Sequence, residues 1–285
     1  MPIALPLLGG FAVGLAFRAP LQRHFARAFR THFALGMGTL AVLAGWGFHA
    51  DVGAIAALGL LLVAQLTSLA IGARLFRGDR EGPVMAFGVF GNPTFWSLPI
   101  VAATLGAEAA VVLAAYDMLT MPRIALGVRL MRGRAPVPQS RRTAVTDYAP
   151  MVGAVIGLLL ARIVPAPDVV PDLVAGLGLF LSITGAVLVG VAWPHGRWTG
   201  WPELRGTAKT LALHLSFVPA VLAVAALAGL AIPAGIWVLV LGPFPISTLS
   251  FARVYGYSDR QAATGLAVSV IVALALLPLA LALGS

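Results

Sequence analysis

The sequence has no cysteine, and only 10% of its 285 residues are charged. Without cysteine, disulfides, thiol nucleophiles and cysteine-ligated metals are excluded. A soluble domain usually carries about 25% charged residues, so this chain has too little polar surface for a water-soluble body. Its hydrophobic share is 60%, and apolar runs of membrane-spanning length recur from end to end. These runs are continuous rather than alternating, which disfavours membrane strands. The predicted fold class is therefore an all-α polytopic membrane protein.

Signatures of common enzymes and metal sites are also missing. There is no HExxH pair, GxSxG elbow or P-loop, and the five histidines show no ligand spacing. We therefore expect no enzyme activity, no metal and no cofactor. The formal net charge of +9 raises the question of a nucleic-acid partner. In a membrane protein, however, the distribution of charge along the chain matters more than its sum.

Breaks at charged or Pro/Gly-rich junctions divide the chain into ten apolar segments. We place them at 3–17, 31–48, 52–73, 83–105, 108–128, 148–164, 169–192, 208–230, 233–252 and 260–283. The loops that follow the odd-numbered segments hold 17 of the 19 basic residues. Because basic loops stay in the cytoplasm, this partition predicts that both termini lie outside, in the periplasm of a bacterial inner membrane. The basic excess is then topological, and no nucleic-acid partner is needed.

Landmarks repeat in the same order about 145 to 150 residues apart. Pro6, Gly9 and Arg18 match Pro150, Gly153 and Arg162, and Pro93 is as far from Gly106 as Pro243 is from Gly256. These matches predict two five-helix repeats, at 1–130 and 148–285, joined by a basic cytoplasmic linker at 131–147. An odd number of spans inverts the second copy, and inverted repeats are a common plan of secondary transporters.

The fourth and ninth segments are interrupted by helix breakers. "GNPTFWSLPI" (91–100) breaks the fourth at Asn92–Pro93, and "GPFPIST" (242–248) breaks the ninth at Pro243–Pro245. Irregular backbone at membrane depth is tolerated only where protein or a water-filled cavity satisfies its polar groups. Paired half-helix N-termini suit an anion, whereas an ordinary proline kink is the alternative reading. The predicted substrate-binding residues are Asn92, Pro93, Thr94, Ser97, Pro243, Pro245, Ser247 and Thr248.

Two ionisable residues lie deep in the fifth segment. Asp117 is interpreted either as a proton carrier or cation ligand, or as an acceptor for backbone groups freed at a break. Arg123 is interpreted either as a partner of substrate or a carboxylate, or as a side chain that snorkels to the cytoplasmic face. Tyr116, which precedes Asp117, is a second coupling candidate. Gln65 and His214 are weaker candidates, because lone polar residues in spans often make helix–helix hydrogen bonds.

"FGNPTFWSLPIVAATLG", "AAYDMLT" and "PISTLSFARVYGYSDRQAATGLAVSVIVALALLPL" together resemble the auxin efflux carrier family. Matching positions are Asn92, Phe95, Pro99, Tyr116, Asp117, Pro243, Tyr255, Gly256, Leu277 and Pro278. The sequence departs from the family pattern at Pro93, Ser97 and Ser247, which lie in the predicted site, so the substrate is not inherited. The resemblance implies a scaffold of helices 1, 2, 6 and 7, a mobile core of helices 3–5 and 8–10, crossing broken helices and elevator-like motion.

The function expected from these observations is secondary active transport of a small organic anion or carboxylate by an elevator-type carrier, which is either proton-coupled or electrogenic. The alternatives are a sodium-coupled carrier of bile-acid-symporter type and a membrane ligand sensor that does not transport. The expected partners are the substrate, a coupling proton or sodium ion, the lipid bilayer and a second copy of the chain, docked through the scaffold helices.

Overall fold

A computed structural model describes residues 4–49, 52–76, 88–119, 123, 148–193, 200–246, 248–249 and 259–283. The helices in chain order are α1 (Ala4–Ala16), α2 (Arg18–Gln22), α3 (Phe25–Thr31), π1 (His32–Met37), α4 (Gly38–Trp46), α5 (Val52–Leu75), π2 (Pro93–Ser97), α6 (Leu98–Thr104), α7 (Ala107–Asp117), α8 (Ala149–Ile163), α9 (Val170–Ala192), α10 (Trp201–Leu227), α11 (Ala234–Val240) and α12 (Asp259–Ala282). No strand occurs within these described ranges. The all-helical class predicted from the continuous apolar runs is confirmed.

Four of the described helices are long and apolar enough to cross a membrane, namely α5, α9, α10 and α12. Their 23 to 27 residues correspond to the length that a bilayer core requires. The helices α1 and α8 are apolar but shorter, with 13 and 15 residues. The prediction of a helical membrane protein is therefore supported, whereas the count of ten spans stays a prediction.

The eighth segment begins earlier than its hydropathy predicts. Helix α10 starts at Trp201 rather than at 208, with Pro202 and Glu203 in its first turn. Proline suits the first turn because its missing N–H has no helical partner there, and an acidic residue favours the positive end of the helix. The polar first turns of α10 therefore extend the apolar segment by two turns.

The chain divides into two compact units. The first unit contains α1 to α4 with π1, and π2 with α6 to α9. The second contains α5, residues 88–92, Arg123 and α10 to α12. Contacts define these units, whereas the scaffold and core expected from the family resemblance are defined by motion. That assignment stays a prediction, as do the boundaries of the two repeats, and the linker at 131–147 lies outside the described residues.

In the first unit, α1 packs against α9 through glycines. A Cβ atom added to Gly10 would lie 2.8 Å from the carbonyl oxygen of Ile183, and one added to Gly14 would lie 3.0 Å from the Cα of Gly190. Two glycines four residues apart let helix backbones approach closely, which is a common packing mode in membranes. The sequence GFAVG thus becomes the contact face of α1.

The same packing recurs between α8 and α4 in the first unit. A Cβ atom on Gly153 would clash with the carbonyl oxygen of Gly38, and one on Gly157 would lie 3.0 Å from the Cα of Gly45. The sixth segment (α8) therefore packs on the second (α4) through the same kind of glycine contact that the first segment (α1) makes with the seventh (α9). This exchange is what an internal repeat of two helices requires.

The register of these glycine contacts differs by one residue from the register of the sequence match. By their contacts, Gly10 and Gly14 correspond to Gly153 and Gly157, whereas the sequence match pairs Gly9 with Gly153. An added Cβ at Gly9 meets nothing within 4 Å. The sequence match follows a proline and an arginine, whereas the close contacts are made by the glycines on the inner face.

Candidate functional site

The α-helix is broken at both proline-rich interruptions. Residues 88–90 form a short 3₁₀ turn, residues 91–92 are irregular, and a π-helical turn begins at Pro93. After α11, residues 241–246 run without a helix. Gly91 has a φ of +66°, a conformation that glycine adopts without steric cost. The interruptions therefore lie where the sequence predicts them.

Within the second unit, the two interruptions are neighbours. Gly91 lies against the backbone of α11, where an added Cβ would be 2.7 Å from the carbonyl oxygen of Leu239. An added Cβ on Gly88 would lie 2.9 Å from the ring of Phe244. The two glycines thus allow the irregular chain at 88–92 to approach the irregular chain that follows α11.

His214, in the middle of α10, connects these interruptions. Its Nδ1 is 3.2 Å from the carbonyl oxygen of Val89, and its Nε2 is 3.1 Å from that of Gly242. The ring is fully buried and meets Phe244 edge-on. The weaker candidate from sequence thus places one ring nitrogen within hydrogen-bond distance of a carbonyl from each broken helix, and the nitrogen that carries the proton donates.

A second polar side chain, Gln65 in α5, serves the first interruption. Its Nε2 donates to the carbonyl oxygen of Phe90 at 3.0 Å, and its Oε1 accepts from Arg123 Nη1 at 3.1 Å. The guanidinium also lies over the Phe90 ring, 5.1 Å from its centre, in a cation–π arrangement. Gln65 therefore joins the broken backbone to the buried cation.

Arg123 does not snorkel. Its side chain is 2% exposed and is among the largest fully buried side chains of the described chain. The prediction of a side chain that reaches the cytoplasmic face is wrong, because Gln65 and Phe90 hold the guanidinium inside the second unit. The functional reading, a cation available to an anionic group, stays a prediction.

The second interruption is held by α12. The backbone N–H of Phe244 donates to Ser269 Oγ at 3.0 Å, and that hydroxyl donates to Leu266 at 2.9 Å. Pro243 and Pro245 are buried on either side of Phe244. Thr248 is 1% exposed, and its Oγ1 has no hydrogen-bond partner among the described residues. A buried hydroxyl without a partner carries a free-energy cost of about 1–3 kcal/mol. Ser247 lies outside the described residues.

In the first unit, Thr94 and Asp117 are brought together. The Thr94 hydroxyl, one residue into π2, donates to Asp117 Oδ2 at the end of α7. Asp117 is 6% exposed, and Tyr116 beside it is buried. The carboxylate therefore binds a side chain of the interrupted helix, while the proposed acceptance of freed backbone N–H groups stays a prediction.

The backbone of Thr94 has a partner that sequence reasoning missed. Ser182 Oγ in α9 lies 2.9 Å from the carbonyl oxygen of Thr94 and 2.7 Å from that of Gly178 in its own helix. Gly178 and Gly185 give room to Leu98 and Phe95, because an added Cβ at either glycine would overlap those side chains. The face of α9 with Ser182 and these glycines thus receives the chain that follows the interruption. The only sequence signal is one serine between two glycines.

The predicted site residues therefore fall into two groups. Thr94, Ser97, Tyr116 and Asp117 are buried in the first unit together with Pro93. Residues of the second unit are Gln65, Asn92, Arg123, His214, Pro243, Pro245 and Thr248. Their role in substrate binding and coupling stays a prediction. Comparisons with models of known protein families and with curated proteins give no match.

Proposed function

We propose that the chain is a secondary transporter that carries a small organic anion or carboxylate across a bacterial inner membrane. The observation that carries this proposal is the meeting of two interrupted helices at His214 in the second unit. Interrupted helices close to one another are the usual means by which membrane carriers build a substrate site near mid-depth. An ordinary proline kink needs neither two neighbouring interruptions nor a buried histidine between them.

The buried cation favours an anionic substrate. Burying a charge in an apolar bundle is costly, so a buried arginine in a span is a functional candidate by default. A guanidinium is suited to a carboxylate because it can bind the two oxygens through parallel hydrogen bonds. The hydroxyl of Thr248, which has no hydrogen-bond partner within the described part of the chain, adds a polar group in the same unit. Arg123 and Thr248 are thus our leading substrate contacts, with Asn92 as an additional polar side chain.

The ten-span arrangement belongs to the same proposal. The exchanged contacts of α1 on α9 and of α8 on α4 support an internal repeat, and five spans per copy would invert the second one. In this arrangement both termini face the periplasm, Asp117 couples transport to a proton or cation, and the core moves as in an elevator. The resemblance to auxin efflux carriers points to the same architecture.

Flux into proteoliposomes tests the function. A panel of mono- and dicarboxylates is offered while pH and sodium gradients are varied separately, and electroneutral exchange is followed with labelled substrate. We expect saturable uptake of at least one anion. Arg123→Lys keeps the charge but loses the planar fork, so KM should rise at least tenfold. Thr67→Val is the matched control, because Thr67 bonds only within α5 on an exposed face.

Each outcome separates the candidate functions. Uptake that depends on a pH gradient and becomes pH-insensitive in Asp117→Asn supports proton coupling. An absolute requirement for sodium replaces it with the bile-acid-symporter alternative. Anion-induced thermal stabilisation without any flux, including exchange, overturns transport in favour of a ligand sensor.

A further inference from the structure

A basic, aromatic segment, formed by α2, α3 and π1 (residues 18–37), connects α1 to α4 in the first unit. Phe25, Phe29 and Phe33 stack in a row, with ring centres 6.0 and 6.2 Å apart. Arg23 and Arg27 on this segment are exposed. Short helices with phenylalanines on one side and arginines on the other are typical of the membrane interface. The segment therefore has the composition of a surface that lies against lipid headgroups.

A cavity of about 640 Å³ lies between this segment and α9, within the first unit. This volume falls in the range of about 300–1,000 Å³ that is usual for ligand sites. Its walls are mainly apolar, and its polar residues are few. The apolar lining includes Leu21, Phe25, Leu35, Phe180, Leu188 and Val191.

The polar groups of the cavity are of two kinds. His24 and Arg27 line it from the exposed segment. Deeper, Thr184 Oγ1 is 3.1 Å from His32 Nδ1, and both side chains line the cavity. His32 Nε2 is buried, and no partner for it occurs among the described residues. A polar atom of this kind is an independent sign of a missing hydrogen-bonding group.

We propose that this cavity binds an anionic phospholipid of the surrounding membrane. The apolar walls match acyl chains, and His24 and Arg27 in the lining match the phosphate, with the exposed Arg23 next to His24 in the chain. His32 also lines the cavity, where its Nε2 faces the glycerol region of the lipid. A zwitterionic lipid gains less from the arginines, because its own cation offsets the phosphate charge. A small soluble anion leaves the apolar walls unmatched. The site differs from the transport site, which is assigned to the interrupted helices.

Thermal unfolding of the delipidated protein in detergent tests the proposal. Phosphatidylglycerol or phosphatidylcholine is titrated in, and native mass spectrometry counts the bound lipids. We expect a saturable rise in Tm with phosphatidylglycerol only. Arg23→Gln with Arg27→Gln should weaken its apparent affinity about fivefold for each arginine, the factor that corresponds to about 1 kcal/mol per basic residue at a membrane surface. The matched control is Arg74→Gln with Arg205→Gln, since both residues are exposed and belong to the second unit.

The remaining outcomes decide the identity of the ligand. An equal rise in Tm with phosphatidylcholine, or an equal loss of phosphatidylglycerol affinity in the control variant, would show that the ligand is not an anionic lipid at this site. Stabilisation by glycerol 3-phosphate alone replaces the lipid with a soluble anion. Leu188→Trp fills the cavity from α9 and should abolish saturable binding, and unchanged binding in this variant overturns the location. If that variant does not fold, the two arginine variants still decide the proposal.

Discussion

Gly14 in α1 lies so close to Gly190 in α9 that a methyl group on Gly14 would be 3.0 Å from the Cα of Gly190. Gly157 and Gly45 repeat this relationship in the packing of α8 on α4, at the same 3.0 Å. The α1–α9 and α8–α4 pairs therefore use the same mode of glycine packing. The contacts also make the first unit sensitive to single methyl groups.

The glycine contacts predict a position-dependent effect of alanine. Gly14→Ala and Gly157→Ala should each lower Tm by several degrees, because the methyl group would meet backbone atoms that cannot rotate away. The controls are Gly9→Ala and Gly176→Ala, where an added Cβ meets nothing within 4 Å. There, Tm should stay the same or rise, since alanine favours the helix over glycine. Equal losses at all four positions would show that close packing is not the cause.

The bond between Thr94 and Asp117 predicts a measurable coupling energy. Thr94→Val keeps the shape of the side chain but removes the donor, so the free energy of unfolding should fall by about 1.5–3 kcal/mol, the usual range for a hydrogen bond to a charged group. After Asp117→Leu, the same threonine change should have a much smaller effect. A double-mutant cycle of unfolding free energies measures the difference. Additive effects would contradict the contact, and Thr104→Val, which removes a hydroxyl bonded within its own helix, is the control.

The interruptions were predictable because they depend on local backbone chemistry. Pro93 and Pro243 each remove a backbone donor close to a glycine, Gly91 and Gly242. Proline alone does not suffice, because α10 and α12 continue through Pro219 and Pro278. The partners of the freed carbonyls were not predictable in the same way. Gln65 is 25 residues from Phe90, and His214 is 125 residues from Val89. A single polar side chain in an apolar span has no periodicity that identifies its partner.

The burial of Arg123 shows the same limit. Its sequence position, near the end of an apolar segment and before a basic loop, is compatible with snorkelling. Only the three-dimensional arrangement shows that Gln65 and the Phe90 ring receive it. Similarly, the glycines on either side of Ser182 do not identify its partner, although its hydroxyl bonds the carbonyl of Thr94.

His214 is predicted to stabilise the meeting of the two interruptions. His214→Leu removes the ring N–H, so the buried carbonyl that it serves, of Val89 or Gly242, loses its donor at a cost of about 1–3 kcal/mol. Amide hydrogen exchange should rise at 88–92 and 241–246, while α1 and α9 keep their protection. His214→Gln should recover part of the loss because an amide still donates to one carbonyl. His49→Gln, at an exposed histidine, is the control. Faster exchange throughout the chain would indicate a general loss of stability instead.

The absence of cysteine makes the predicted topology directly testable. Single cysteines at Arg74 and Arg205 should react with a membrane-impermeant maleimide only from the cytoplasmic side, and those at Asp168 and Leu227 only from the periplasm. All four side chains are exposed and lie near helix ends, so substitution should leave the packing intact. Arg205 and Leu227 lie near opposite ends of α10. Three predicted spans separate Arg74 from Asp168, so one span more or fewer between them would put both probes on the same side. Labelling of Arg205 and Leu227 from the same side would show that α10 does not cross the membrane, and the ten-span arrangement would then be wrong. If all four cysteines react from the side opposite to the predicted one, the predicted spans are kept and the orientation is inverted. The span count would then be right, and the orientation inferred from the basic loops would be wrong.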